Sequence, residues 1–296
     1  MCRSVTNKHF VAWLLLISMS FLWGSSFILT KRALGVFSAQ EIAALRVVAA
    51  AVLLLPWSLP WLRRLCWHHY KSLLLVGLAG FVLPAFLYAQ AQVHLDSAIN
   101  GVLTSLSPMF ALLVGRLCFQ RPVFRREVWG SLLGLVGALF LILAGTGYRV
   151  SSVSYYVLLP LLGCFSDGLN ANLLKHRLQD LSTSTIISVS LLLMGIIAGG
   201  MLLTQGVLLH KLRTGEGVYL ALGCVLLLGA SASGAAYLLF AKLVKLTSPV
   251  FASMSSSIIP LVALGWGLLD GEVLLVGHYV GMSTILMGVY LVSKPE

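Results

Sequence analysis

Residues 98–119 read AINGVLTSLSPMFALLVGRLCF, and residues 250–271 read VFASMSSSIIPLVALGWGLLDG. Set in register, Pro108 meets Pro260 and Gly115 meets Gly267, with apolar and small residues in step between them. A shorter echo pairs LWGSSFILTKRAL (22–34) with SDGLNANLLKHRL (166–178), through Gly24/Gly168, Leu29/Leu173, Lys31/Lys175 and Leu34/Leu178. One apolar unit therefore occurs twice, which divides the chain into halves 1–148 and 149–296. Membrane folds built from two such copies put their ligand site between the copies.

The composition fixes the solvent. Of 296 residues 59% are apolar and 10% charged, and the mean hydropathy is +0.97. Soluble domains carry about 25% charged residues, so the outer surface here faces lipid. The net charge of +11 does not form a nucleic-acid face, because the basic residues sit in short clusters between apolar runs. That distribution fits anionic headgroups and topology control. The cysteines, Cys2, Cys66, Cys118, Cys164 and Cys224, are scattered without a C-x-x-C and read as small apolar helix residues.

About 20 apolar residues cross the hydrocarbon. Runs of that kind fall at 10–30, 39–57, 72–92, 97–118, 128–146, 153–173, 184–204, 217–240, 248–269 and 274–293. The first is longer than the roughly 7–15 residues of a signal-peptide core and carries the repeat motif, so it reads as a retained helix. Lys and Arg set the orientation. With the N-terminus in the cytoplasm, one face collects Arg3, Lys8, Arg63, Arg64, Lys71, Arg116, Arg121, Arg125, Arg126, Lys175, Arg177, Lys242, Lys245 and Lys294. The other face holds Lys31, Arg32, Arg149, Lys211 and Arg213. Both termini are then cytoplasmic, in the cytoplasmic (inner) membrane. Five spans per half is an odd number, so the second copy enters the bilayer inverted, and an inverted pair supplies the two conformations of alternating access.

These residues resemble a known group. LWGSSFILTKRAL (22–34) followed by QEIAALRVVAAAVLLLP (40–56) looks like the opening of the drug/metabolite transporter superfamily, EamA type. FLYAQAQVHLDSAINGVLTSLSPMFALLVG (86–115) looks like its third and fourth helices, and SMSSSIIPLVALGWGLLDGEVLLVGHYVG (253–281) like its ninth and tenth. The resemblance implies an all-α membrane protein of ten helices, in two inverted five-helix repeats around a central cavity. It also implies movement of amino acids, other metabolites or drugs, commonly outward. Where many members carry Gly-Glu after the fourth helix, this chain has Phe119-Gln120-Arg121-Pro122, whereas the second copy keeps Gly271-Glu272. Asp167 stands where the first copy has Trp23.

Several residues could carry the chemistry. Arg46 lies about seven residues into its span, roughly 10 Å deep at 1.5 Å per residue. An Arg at that depth needs a partner or a wet cavity; it either anchors a solute carboxylate or bonds helix carbonyls or an acid such as Glu41. Asp167 is the one acid well inside an apolar span, fit for a cationic group or a coupling proton, or else for an interhelical hydrogen bond or a pair with Lys175. Asn170 and Asn172 read as packing or cavity polar groups. Pro84, Tyr88 and Gln92 share a stripe, as do Asn100, Thr104 and Pro108, with Ser253, Ser257 and Pro260 as counterpart and Ser231 and Tyr237 beside them. Prolines free carbonyls for solute or water, while membrane Ser and Thr also join helices. Trp23 reads as a gate or as packing. Gly130/Gly134 and Gly277/Gly281 permit close helix contact.

His68-His69 sits in a basic loop and reads as headgroup-facing; a metal would need further ligands at workable spacing. His94 and His278, near span ends, read as interfacial. No cofactor is implied. The expected partners are a small-molecule solute, protons as a coupling ion and the lipid bilayer, with no nucleic acid; monomer and homodimer both remain open. Two alternatives stay in view. A rhomboid-like intramembrane hydrolase would use Ser231 in Gly229-Ala-Ser231-Ala-Ser233-Gly234 with His278, although a strict G-x-S-x-G is missing. A channel or receptor lacks a carbonyl filter sequence or charged ring. The expected function is export of small organic metabolites such as amino acids or drugs by alternating access, with no enzymatic step.

Overall fold

The computed structural model describes residues 2–62, 65–95, 100, 103–146, 155–205, 217–269 and 275–293. The expected boundary at 148–149 lies outside them, as do Arg63, Arg64, Arg149, Lys211, Arg213, Gly271, Glu272 and Lys294. Among the described residues the regular structure is helical. The helices are α1 (Cys2–Ala33), α2 (Ala39–Leu62), α3 (Trp67–His94), α4 (Ser107–Phe119), α5 (Arg125–Thr146) and α6 (Leu158–His176). They continue as α7 (Thr183–Gln205), α8 (Val218–Leu246), α9 (Pro249–Ser253), α10 (Ser255–Leu269) and α11 (Val276–Ser293). Among the described residues seven helices are long and apolar enough to cross a membrane, while Ser107–Phe119 and Pro249–Val262 are shorter apolar helices. Their outward faces are apolar too, as at Leu14, Ile17, Leu53, Leu203 and Tyr290, which lipid requires.

Local chemistry sets the helix starts. Ser38 and Glu41 form a reciprocal cap on α2. The Ser38 amide donates to Glu41 Oε2 at 2.7 Å, and the Glu41 amide to Ser38 Oγ at 3.3 Å. Glu41 is thus a helix-capping residue. At α9, Ser248 Oγ accepts the Phe251 amide at 3.1 Å, with Pro249 in the first turn, where its missing N–H costs nothing. The expected ninth span is interrupted by a turn at Met254 ahead of Pro260, and the expected fourth by a turn at Ser105–Leu106 ahead of Pro108. Proline lacks the donor for a continuous ladder.

Two π-helical turns, Leu78–Val82 and Gly229–Ala235, interrupt α3 and α8. Backbone carbonyls there accept from across the bundle. Ser166 Oγ donates to Ala79 O at 2.9 Å, and Trp23 Nε1 to Ala232 O at 3.0 Å. The small residues permit this approach: a Cβ on Gly229 would lie 2.8 Å from Arg46 O, and one on Gly80 2.7 Å from Asn170 Nδ2.

Packing across the halves comes in matched pairs. α5 lies on α11 and α2 on α7; α1 packs on α10 as α4 packs on α6, and α1 on α8 as α3 on α6. The aligned glycines make equivalent contacts. Gly24 abuts Val262, where a Cβ would come within 2.7 Å, and Gly168 abuts the backbone of Phe110 and Ala111 at 2.8 Å. On α5 and α11 the closest approach joins Gly130 to Gly288, and Gly137 to Gly281. Gly134 instead faces Met254 and Ser257.

The two ends of the bundle are distinguished by side chains. At one, called here the basic end, His69 meets Asp180 at 2.6 Å, Phe119 stacks on His176 at 5.1 Å and Arg121 pairs with Glu127 at 2.5 Å. At the far end, His94 stacks on Tyr156 at 3.6 Å. α3 therefore runs away from the basic end and α6 towards it.

Candidate functional site

A cavity of about 120 Å³ lies within the helix bundle. Its wall comes from eight helices, α1, α2, α3, α4, α6, α8, α9 and α10. α1 gives Trp23, Ser26 and Thr30, α2 gives Ile42 and Arg46, and α3 gives Phe81, Pro84, Ala85, Tyr88, Ala89 and Gln92. Asp167 and Asn170 come from α6, and Ser233, Tyr237 and Phe240 from α8. Thr104 and Ser107 close one side, and Ser253, Ser255, Ser256 and Ile259 another. Thr30 and Gln92 lie within one helical turn of the far end.

Two charged side chains stand in this wall. Asp167 Oδ2 accepts the Tyr88 hydroxyl at 2.5 Å, and the same hydroxyl lies 3.8 Å from Cys164 Sγ. Arg46 Nε donates to Ser233 Oγ at 2.9 Å. Among the described residues the Arg46 guanidinium has no carboxylate within salt-bridge reach, and Asp167 does not pair with Lys175, which is engaged elsewhere. Taking charges out of water is expensive unless donors and acceptors satisfy them. One hydroxyl each leaves both groups with unused bonding capacity towards the cavity. Asn170 Oδ1 and Ser253 Oγ are buried on the same wall and make no hydrogen bond among the described residues. The aromatic share is Trp23, whose ring meets Tyr237 at 5.2 Å and Phe240 at 5.5 Å, and Phe81, 4.5 Å from Tyr237. The wall holds one carboxylate and no His or Cys among its described residues, so it offers no metal donor set.

Of the ten expected binding residues, Trp23, Arg46, Tyr88, Gln92, Thr104, Asp167 and Ser253 line this cavity. Three do not. Asn100 is fully buried behind Tyr88, its Nδ2 donating to Tyr88 O at 3.5 Å. Ser231 turns its hydroxyl back to Leu227 O at 2.6 Å. Ser257 is fully buried against Gly134. The π-helical turn explains Ser231: an α-helical phase runs on through Gly229–Ala235, whereas the wider turn brings Ser233 to the wall. Ser26 and Thr30, which follow Trp23 at helical spacing, also line the cavity, and that spacing is the sequence signal for them. Asn172 is a packing residue, donating to Ala111 O at 2.9 Å and Gly168 O at 2.8 Å.

Outside the helices, Asp180 is held below the usual carboxylate range, first by the hydrogen bond from His69. The contribution of that contact is present above the free aspartate value of about 3.9 and is lost only as the pH falls through the depressed one. His278, in the first turn of α11, is buried, and its Nδ1 accepts the Leu275 amide at 2.9 Å. Ser231 and His278 are therefore each committed locally and do not bond one another.

Known proteins share this architecture. An S-adenosylmethionine/S-adenosylhomocysteine transporter of Chlamydia muridarum is 26% identical over 97% of this chain and 92% of its own. An uncharacterized transporter of Archaeoglobus fulgidus is 21% identical over 95% of this chain and 98% of its own. One crystal structure superposes with a TM-score of 0.71 at 18% identity, covering 95% of each chain, which marks the same fold. The model of the EamA-like transporter family matches twice, at residues 10–143 and 154–294. The chain is a multi-pass membrane protein and belongs to the EamA-like transporter family.

Proposed function

We propose that this protein exports a small organic metabolite across the cytoplasmic membrane by alternating access. The path is the cavity between two inverted five-helix halves, 1–148 and 149–296, which together make ten spans. The observation that carries the reading is the pair of oppositely charged groups, Arg46 and Asp167, in the wall of one cavity. The opposite directions of α3 and α6, the matched helix pairs and the double family match support the inverted repeat. The concentration of Lys and Arg at the basic end supports a cytoplasmic position for that end and for both termini.

The wall favours a solute carrying a carboxylate and an amine on a flat or apolar body. Arg46 faces the carboxylate, Asp167 the amine, and Trp23, Phe81, Tyr237 and Phe240 the remainder; Tyr88, Gln92, Thr104 and Ser253 add polar contacts. Amino acids and their nucleoside derivatives have this chemistry, S-adenosylmethionine and S-adenosylhomocysteine among them.

Counterflow in proteoliposomes tests the proposal. Vesicles loaded with unlabelled S-adenosylhomocysteine or a panel of amino acids should accumulate the labelled solute with saturation. A gradient of pH distinguishes proton exchange from facilitated movement. Linear, non-saturating flux would make the protein a channel, and absence of counterflow across the panel would remove the substrate class.

A further inference from the structure

The connection between α2 and α3 carries Cys66-Trp67-His68-His69, and the fold gathers a thiol and two imidazoles there. One ligand atom from each of Cys66, His68 and His69 lies within 4.8 Å of the other two. We propose that these three side chains bind a divalent transition metal of the zinc class, with Asp180 orienting His69.

Each donor is available. Cys66 stands at the N-cap of α3 without making a side-chain cap bond, exposed and with a free thiol. A helix N-terminus favours the thiolate that a metal requires. His68 is exposed, its ring 3.8 Å from that of His69. His69 is only 8% exposed, yet its Nδ1 is buried with no hydrogen-bond partner among the described residues. Its other nitrogen, Nε2, lies 2.6 Å from Asp180 Oδ2. A proton held on Nε2 by the carboxylate leaves the Nδ1 lone pair for a metal, the arrangement by which carboxylates fix metal-bound histidines. A thiolate with two imidazoles suits zinc, and water completes the tetrahedron. Donors around zinc lie roughly 3.3–3.8 Å apart, from bonds of about 2.0 to 2.3 Å. Rotation of the two exposed side chains, Cys66 and His68, supplies the closure.

The site has a mechanical consequence. Asp180 belongs to the α6–α7 connection, so an ion on His69 strengthens a tie between the α2–α3 and α6–α7 connections at the basic end.

The test is a Co²⁺ titration of the full-length, tag-free, reduced protein in detergent. The expected result is a thiolate-to-cobalt charge-transfer band with tetrahedral d–d absorption, saturating at one ion per chain and displaced by Zn²⁺. Cys66→Ser and His68→Ala, both at exposed positions, should abolish it, as should His69→Ala. Cys118→Ser should leave it intact, and Asp180→Asn should weaken binding by about 10- to 100-fold. No band in the unaltered protein, or a band that survives Cys66→Ser or His68→Ala in protein of unchanged size-exclusion profile, overturns the proposal.

Discussion

Lys175 caps the C-terminus of α8, and Lys245 reaches back to the α6–α7 connection. The Lys175 ammonium donates to Lys245 O at 3.1 Å, to Val244 O at 3.2 Å and to Thr247 O at 2.7 Å, at the C-terminus of α8. The Lys245 ammonium returns to Leu178 O at 2.7 Å and to Leu181 O, just beyond α6. Cations at helix C-termini satisfy the unpaired carbonyls of the last turn. The exchange ties α6 to α8 at the basic end, while the cavity wall reaches the far end. In the first copy Lys31 aligns with Lys175, yet it is exposed at the far end. Among the described residues no such exchange of lysines joins helices at the far end.

Replacing both lysines by Met should release this tie. Hydrogen bonds to charged groups contribute about 1.5–3 kcal/mol each, and 1.4 kcal/mol is a tenfold change in population. Spin labels at Arg177 and Lys242, both exposed, should report one distance in the unaltered protein. In the double variant a second, longer distance should appear.

Gly288 sits where its Cβ would lie 2.6 Å from Gly130 O and 2.8 Å from Gly134 N. Backbone cannot yield as a side chain does, so Gly288→Ala must separate α5 from α11. Overpacking of this kind costs about 1–3 kcal/mol. A thermal melt in detergent should show a lower midpoint for Gly288→Ala and an equal or higher one for Gly223→Ala, where nothing lies within 4 Å and Ala favours the helix.

Arg46 and Asp167 should divide recognition between them. Arg46→Ala should lose affinity for a solute that keeps its carboxylate, yet bind the decarboxylated analogue as before. Asp167→Asn should show the converse with the deaminated analogue. Loss of one partner of a buried charge contact costs about 2–5 kcal/mol, a thirtyfold or larger change at the lower limit. Competition binding with the two analogues measures it.

Much of this architecture is legible in the residues. The Pro108/Pro260 register and the Gly24/Gly168 pair announce the duplication, because close helix approach leaves a direct trace in small residues. Arg46 and Asp167 are conspicuous because lipid makes charge rare. The π-helical turns left no comparable trace: Gly229–Ala235 reads as an ordinary small-residue stretch, and the phase shift that exchanges Ser231 for Ser233 follows from it. The Cys66–His69 cluster was hidden for another reason. The spacing C-x-H-H alone offers too few donors, and the carboxylate beside His69 comes from Asp180, 111 residues away in the chain.

The central claim is that one cavity faces both sides of the membrane in turn, and Ser253 reports it most directly. It lies on the cavity wall near the basic end, and its hydroxyl is unpartnered among the described residues. With the native cysteines replaced, Ser253→Cys should react with a membrane-impermeant thiol reagent applied to either face of oriented vesicles. A solute that supports counterflow should protect it from both. Reaction from one face alone, with and without solute, would contradict alternating access through this cavity.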